Sequence, residues 1–338
     1  MAKKARKNVV VIGGGTGTFT ALTGLKKYEA NLTAIVAMTD SGGSTGILRD
    51  ELGVLPPGDV MRCLVALSTQ DKLMRELMDY RFEGGALKGH RFGNLLLSAL
   101  EKTTGSFQSA VERASDILRT NGRVIPSTLD QVHLMAQVGD DIVRGEENIQ
   151  TTKLNGSLKH LWIEPVARAN PKALAAIRDA DAIVLGPGGF YSSIVTNLLV
   201  RDIPEAILKS AGKKIFVCNL MTKAEHTDGY SVADYTRTLE KYLGGPVDAV
   251  IYNNSMPDED LIKRYAREGD TLTSWKDVPA DRELVGGNLL STRDTEFTKI
   301  GTPGSEASLV RHDQTKLAAA IAKIATIRKK RKPAPKTT

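Results

Sequence analysis

The sequence predicts an α/β fold, a mostly parallel sheet flanked by helices with a small β-rich excursion in the middle. Three observations carry that expectation. Short Val/Ile-rich runs alternate with helix-like segments along most of the 338 residues. Two of those runs pass through glycine turns, GGGTG and GPGGF, straight into helical sequence. Residues 124–165 then break the alternation with short segments of β character and turns between them. Neither an internal repeat nor a Gly/Ser/Pro-rich linker divides the chain, so residues 8–320 read as one unit.

The elements follow in order. VVVI (9–12) is the first strand, and a helix runs on from its glycines to about residue 28. LTAIVAM (32–38) is the second strand. DVMRCLVALS and KLMRELMDYRF carry apolar residues three and four apart, the spacing of a helix face, and GNLLLSALEKTTG and QSAVERASDILRT continue it. VIPSTL, QVHLMAQV, DIVRG and KLNGSLKHLWIEP make up the β-rich stretch. NPKALAAIRDA is a helix with Pro171 in its first turn, where a missing N–H does no harm. AIVL, KKIFVC and DAVIY are further strands, with the SVADYTRTLEKYL helix between the last two. PDEDLIKRYAREG and TKLAAAIAKIATIRKK are the final helices.

No apolar run approaches the ~18 residues of a membrane span, and VVVI is too short for a signal-peptide core, so a cytoplasmic protein is expected. Cys63 and Cys218 sit in apolar runs and read as buried thiols without disulfide or metal roles. The net charge of +7 comes from the ends. Lys3, Lys4, Arg6, Lys7, Arg328, Lys329, Lys330, Arg331, Lys332 and Lys336 are ten of the 46 basic residues; the other 36 face 39 acidic ones. Residues 1–7 and 328–338 therefore read as disordered basic tails that aid solubility, the only place where nucleic acid or an anionic surface would be met.

Ligands in parallel sheets bind outside the carboxyl ends of the strands. After the first strand come Gly13, Gly14, Gly15, Thr16 and Gly17; after the second, Thr39, Asp40 and the SGGST loop. Later strands end in Gly186, Gly188 and Gly189, in Asn219, and in Asn253. Small and hydrogen-bonding residues at five strand ends point to one ligand crevice. At the two glycine turns, free backbone N–H groups and a helix dipole favour an anion. A dinucleotide fingerprint needs a third glycine where this chain has Thr18, and no G-K-[ST] follows for a P-loop. A mononucleotide or nucleotide sugar fits better.

In PPGDVMRC, Asp59 reads either as a helix N-cap or, with Asp40, as a ligand of Mg²⁺ near phosphates. In KGHRFGNLL, His90 and Asn94 are candidates for ligand contact or proton transfer, and His90, like Asp40, is a catalytic candidate. The same groups could equally cap helices.

The motifs GGGTG, AIVAMTDSGGSTG, LGVLPPGDVMRCLVAL, GHRFGNLLLSAL, VLGPGGFYSSIVTNLLV, VCNLMTKAEHTDGYS and LVRHD, in this order over residues 8–320, resemble the CofD-like family, in particular its YvcK branch, the gluconeogenesis factors. The resemblance implies a Rossmann-like fold that binds a UDP-sugar at the strand ends and acts, without turnover, in cell shape and growth on gluconeogenic carbon sources. Its more distant CofD branch implies an alternative, a transferase moving a 2-phospholactyl group from a guanosine-linked donor to a deazaflavin acceptor. Carried over, Thr16 lies by the phosphates, and Tyr265 and Arg311 contact the nucleotide sugar. Many relatives read DDGGS where this chain has Asp40-Ser41-Gly42-Gly43-Ser44, and the lost acid weakens a two-carboxylate metal site at that loop. The oligomeric state is left open, a homo-oligomer included.

Overall fold

Alternation along β1 (Lys7–Gly13) sets the architecture. Val9 and Val11 point to one face and Val10 and Ile12 to the other, and all four are buried. A strand buried on both faces needs helices on both sides. The computed structural model describes residues 5–154, 156–260, 262–263, 269–278, 280–291 and 310–330.

Seven parallel strands form the main sheet: β1, β2 (Ala30–Val36), β3 (Arg123–Pro126), β7 (Ala182–Leu185), β8 (Lys213–Val217), β9 (Ala249–Asn253) and β10 (Glu283–Gly287). Their order is β10-β9-β8-β7-β1-β2-β3, the doubly wound, Rossmann-like order extended by one strand. β1 pairs with β2 from Val9↔Leu32 to Gly13↔Val36 and with β7 from Val9↔Ala182 to Ile12↔Leu185. The chain leaves β1 first towards β2 and later towards β7, so the order reverses at β1.

Helices Gly15–Leu25, Gly58–Leu67, Phe92–Thr104, Phe107–Ile117 and Gln314–Ala325 cover the face of Val9, Val11, Ala34 and Val184. Helices Pro171–Arg178, Ile203–Lys209 and Val232–Leu243 cover the face of Val10, Ile12, Ile183 and Phe216. A three-stranded antiparallel sheet, β5 (Asp141–Arg144), β4 (His133–Val138) and β6 (Leu158–Glu164), adds Leu134, Ala136, Leu161 and Ile163 to that second core. Asn170 caps its helix by accepting the Lys172 N–H, with Pro171 next, as the first-turn proline predicts. Cys63 and Cys218 are free and buried.

The expected β-rich stretch divides. Val124–Pro126 belongs to β3, the edge of the main sheet, and the excursion begins at His133. Pro126 ends an edge strand, where its missing N–H breaks no ladder. Two elements carry little sequence signal. Helix Gly43–Leu52 starts in a glycine-rich loop, and β10 reads ELVGG, half exposed with two apolar residues. At the ends, Lys7 already belongs to β1, and residues 328–330 are pinned to the body rather than free. The Glu29 N–H donates to Arg328 O at 2.8 Å, and the Lys330 N–H to Lys27 O at 2.9 Å.

Candidate functional site

The reversal of strand order at β1 leaves a crevice between the carboxyl ends of β1 and β7, and the two glycine turns meet there. A Cβ at Gly17 would lie 2.2 Å from Pro187 O, so only glycine allows the turns this approach. Two asparagines hold the pair. Asn197 Nδ2 donates to Gly13 O at 3.0 Å, and Asn219 Nδ2 donates to Gly188 O at 2.9 Å. Thr18 is buried, and a Cβ on Gly13 would meet its Oγ1 at 2.5 Å. The space that a fingerprint's third glycine keeps open is thus filled.

Carboxylates line one side. Asp59 lies in the first turn of helix Gly58–Leu67, whose cap position is Pro57, so it is not the N-cap. Its carboxylate instead reaches the first glycine turn, where it accepts the Gly15 N–H. A Cβ at Gly14 would stand 2.5 Å from Asp59 Oδ2, and one at Gly58 3.0 Å from Asp40 Oδ2. Asp40 accepts the Gly42 N–H at 3.1 Å. Burial, then the charge of Asp40, pushes the Asp59 carboxyl up to about 7; burial also raises that of Asp40. Glu146, from the short helix Glu146–Thr151 between β5 and β6 of the small sheet, is pushed to about 8 by burial and then by Asp40.

That shift makes a pH prediction. The Glu146 carboxyl rises from 4.5 to about 8 on folding, so the stability it supplies is whole below pH 4.5 and lost as pH climbs through 8. Glu146→Gln should match the parent near pH 4 and exceed it by at least ~1 kcal/mol near pH 9, in denaturant melts with chelator present. A pH-independent difference would sink the assignment.

Among the described residues, no group of three or more His, Cys, Asp or Glu side chains is placed to hold a metal ion. Mg²⁺, however, is commonly held by one or two carboxylates together with waters and substrate phosphates. Asp40 and Asp59 fit that mode and do not fit an all-protein cage.

Guanidinium groups stand close to these carboxylates, and the charges of Arg62 and Arg91 both act on Asp59. Arg62, one helical turn after Asp59, donates from Nη1 to Thr16 Oγ1 at 2.6 Å. Arg91 is lowered to about 10 by burial and by the charges of Arg62 and Arg81, and its Nη1 stands 3.8 Å from Asp79 Oδ1. His90 Nδ1 lies 3.0 Å from Ser44 Oγ, and Asn94 Nδ2 donates to the same oxygen at 3.5 Å. The buried trio joins the SGGST loop to the start of helix Phe92–Thr104, which gives His90 and Asn94 a positioning role in the structure.

Asn253 is tied internally. Its Nδ2 donates to Ser255 O at 2.6 Å and its Oδ1 accepts the Leu289 N–H at 3.1 Å, so it fastens β9 to the chain beyond β10. Burial lowers the His312 pKa to about 4, and its ring bonds the backbone of Cys218; Arg311 therefore sits at the carboxyl end of β8. Tyr265 lies outside the described residues.

Residues 9–288 match the family model described as 2-phospho-L-lactate transferase CofD. The chain belongs to the CofD family. Its relatives include the "Putative gluconeogenesis factor" of Thermotoga maritima, 42% identical over 94% of this chain and 98% of that protein. The gluconeogenesis factor of Bacillus subtilis is 35% identical over 94% of this chain and 97% of its own length. A crystal structure of a Bacillus halodurans protein superposes with a TM-score of 0.85 at 34% identity, over 94% of this chain and 99% of that one. No helix among the described residues is long and apolar enough to cross a membrane.

In this CofD-family chain, Gly13–Gly17, Asp40, Asp59, Gly186–Gly189 and Asn219 gather at the β1/β7 end of the sheet. Sequence reasoning missed Arg62, Asn197 and Glu146. Arg62 had a signal in DVMRC, where Arg62 follows Asp59 by three residues on one helix face. Glu146 had none, because only the packing of the small sheet brings it to Asp40.

Proposed function

We propose that this chain binds a UDP-sugar in the β1/β7 crevice and serves as a regulator tied to cell shape and envelope metabolism during gluconeogenic growth. The observation that carries the reading is the paired glycine turns with Arg62 on Thr16. Two glycine turns and a guanidinium meet in this crevice, where a diphosphate would lie. Arg311, next to His312 whose ring bonds the Cys218 backbone, is proposed as a further contact of the nucleotide sugar. The filled space at Thr18 speaks against NAD and against a dehydrogenase.

A second reading has its own support. Asp40 and Asp59 would hold Mg²⁺ against the phosphates, which would supply charge neutralisation at the transferred group. Their ionisation, disfavoured by burial, would be restored by the cation. That is the arrangement of a transferase of the CofD branch, with a guanosine-linked 2-phospholactyl donor and a deazaflavin acceptor.

Calorimetry with UDP-N-acetylglucosamine, GDP and NAD separates the readings. Binding of the UDP-sugar with at least ~10-fold preference over GDP, and none of NAD, is expected. Binding of GDP or NAD without the UDP-sugar would overturn the regulator reading. Product formation from a lactyl-nucleotide donor with Mg²⁺ would replace it by the transferase.

A further inference from the structure

Between helix Lys72–Asp79 and helix Phe92–Thr104 the chain turns back on itself. The Phe92 N–H donates to Tyr80 O at 2.9 Å, and the Phe82 N–H to His90 O at 3.0 Å. These bonds flank Arg81 and Arg91, which face each other as a non-hydrogen-bonded antiparallel pair. In such a pair the Cα atoms are only ~4.5 Å apart and both side chains leave the same face. Arg62 joins them from helix Gly58–Leu67. Burial and then the charge of Arg62 lower the pKa of Arg81; burial, Arg62 and Arg81 lower that of Arg91 to about 10. Like charges set opposite one another cost stability, and a third adds to the cost. The carboxylates that act on Arg91 are Asp79, 3.8 Å away, and Asp59, which is pushed up to about 7 and already accepts the Gly15 N–H. Three guanidinium groups thus share two carboxylates. Arg81 Nη1 donates to Gly89 O, while its Nε is buried with no hydrogen-bond partner. A buried N–H of a charged group left unpaired is costly, and an oxyanion would pair it.

We propose, on the nucleotide-sugar reading of the crevice, that Arg62, Arg81 and Arg91 form a second oxyanion subsite, which takes a carboxylate or phosphate group in addition to the diphosphate at the glycine turns. Arg62 links the two places, because its Nη1 also holds Thr16 at the first glycine turn. The ligand class is therefore a nucleotide sugar whose sugar carries an acidic group. A neutral sugar leaves the repulsion among the guanidinium groups uncompensated, whereas an acidic one offsets it, and the guanidinium fork matches either oxyanion bidentately. A free phosphate ion beside a neutral sugar has the same chemistry.

Calorimetry with UDP-glucuronate and UDP-glucose compares ligands that differ at one sugar carbon, a carboxylate against a hydroxymethyl group. The parent should bind UDP-glucuronate at least ~10-fold more tightly, and Arg81→Gln should bring the ratio of the two affinities close to one. The ratio cancels any effect of the variant on the crevice as a whole. If inorganic phosphate tightens UDP-glucose binding in the parent but not in Arg81→Gln, the subsite stands and its occupant is the free ion. Equal affinity for the two ligands with no effect of phosphate, or a preference that survives Arg81→Gln, would overturn the subsite. Should Arg81→Gln not fold, Arg81→Lys, which keeps the charge without the fork, should lower the ratio at least ~3-fold, and an unchanged ratio counts against the subsite. If neither UDP-sugar binds, the nucleotide-sugar reading fails separately. The subsite is then read from inorganic phosphate alone: a phosphate-dependent rise in melting temperature that Arg81→Gln loses supports it, and the same rise, or none, in both proteins refutes it.

Discussion

Thr16→Glu is expected to abolish nucleotide binding while the protein melts as before. Thr16 is exposed on the first turn after β1, so a longer side chain meets no packed neighbour. Its hydroxyl accepts from Arg62 at 2.6 Å, beside the first glycine turn. A carboxylate there acts twice: it repels the diphosphate and it engages the guanidinium meant for it. At ~4 Å and an effective dielectric near 20, one such repulsion amounts to about 4 kcal/mol, close to a thousandfold in affinity. Calorimetry with the UDP-sugar, beside a thermal melt, reads both halves. Unchanged affinity would mean that the glycine turn only links strand to helix.

Gly17→Ala attacks the same crevice by geometry rather than charge. The new Cβ would stand 2.2 Å from Pro187 O, 2.5 Å from Pro187 C and 2.8 Å from Gly188 N, all backbone atoms that cannot rotate away. The two turns must separate, which also strains the Asn197 and Asn219 bonds that hold them. A loss of about 1–3 kcal/mol in stability is expected, with affinity falling at least ~10-fold because the N–H groups of the two turns no longer converge. If affinity falls without any loss of stability, or stability without affinity, the turns are not one unit. Gly43 is a control: a Cβ there meets nothing within 4 Å, although its φ of +45° adds some backbone strain.

The strand–glycine–helix units were readable because each is local. A run such as VVVI with glycine after it encodes a buried strand and a tight exit within a few residues, and the structure has both turns where the sequence puts them. Family membership was readable for a related reason, since long motifs persist in order. Helix Gly43–Leu52 was hidden by its own glycines, and β10 by its exposure at the sheet edge, where hydrophobic alternation fades. Local chemistry left the roles of Asp59 and Asn253 open. Asp59 looks like a cap residue, yet the glycine turn across from it claims its carboxylate; Asn253 ends a strand as a ligand-reading residue would, yet the chain after β10 takes its amide.

By itself, then, the sequence determined the α/β class, the glycine turns, the lack of a P-loop or complete dinucleotide pattern, and the family. These depend on periodicity, on backbone freedom and on short motifs, all of which act between near neighbours in the chain. Tertiary structure alone decided which groups share a space. It set Glu146 beside Asp40 across the packing of a second sheet, put Arg62 on Thr16, and brought Lys7 to Ala325 and Lys330 to Lys26. Charges interact through space with a strength set by distance and burial, and neither quantity is written in the spacing of residues along the chain.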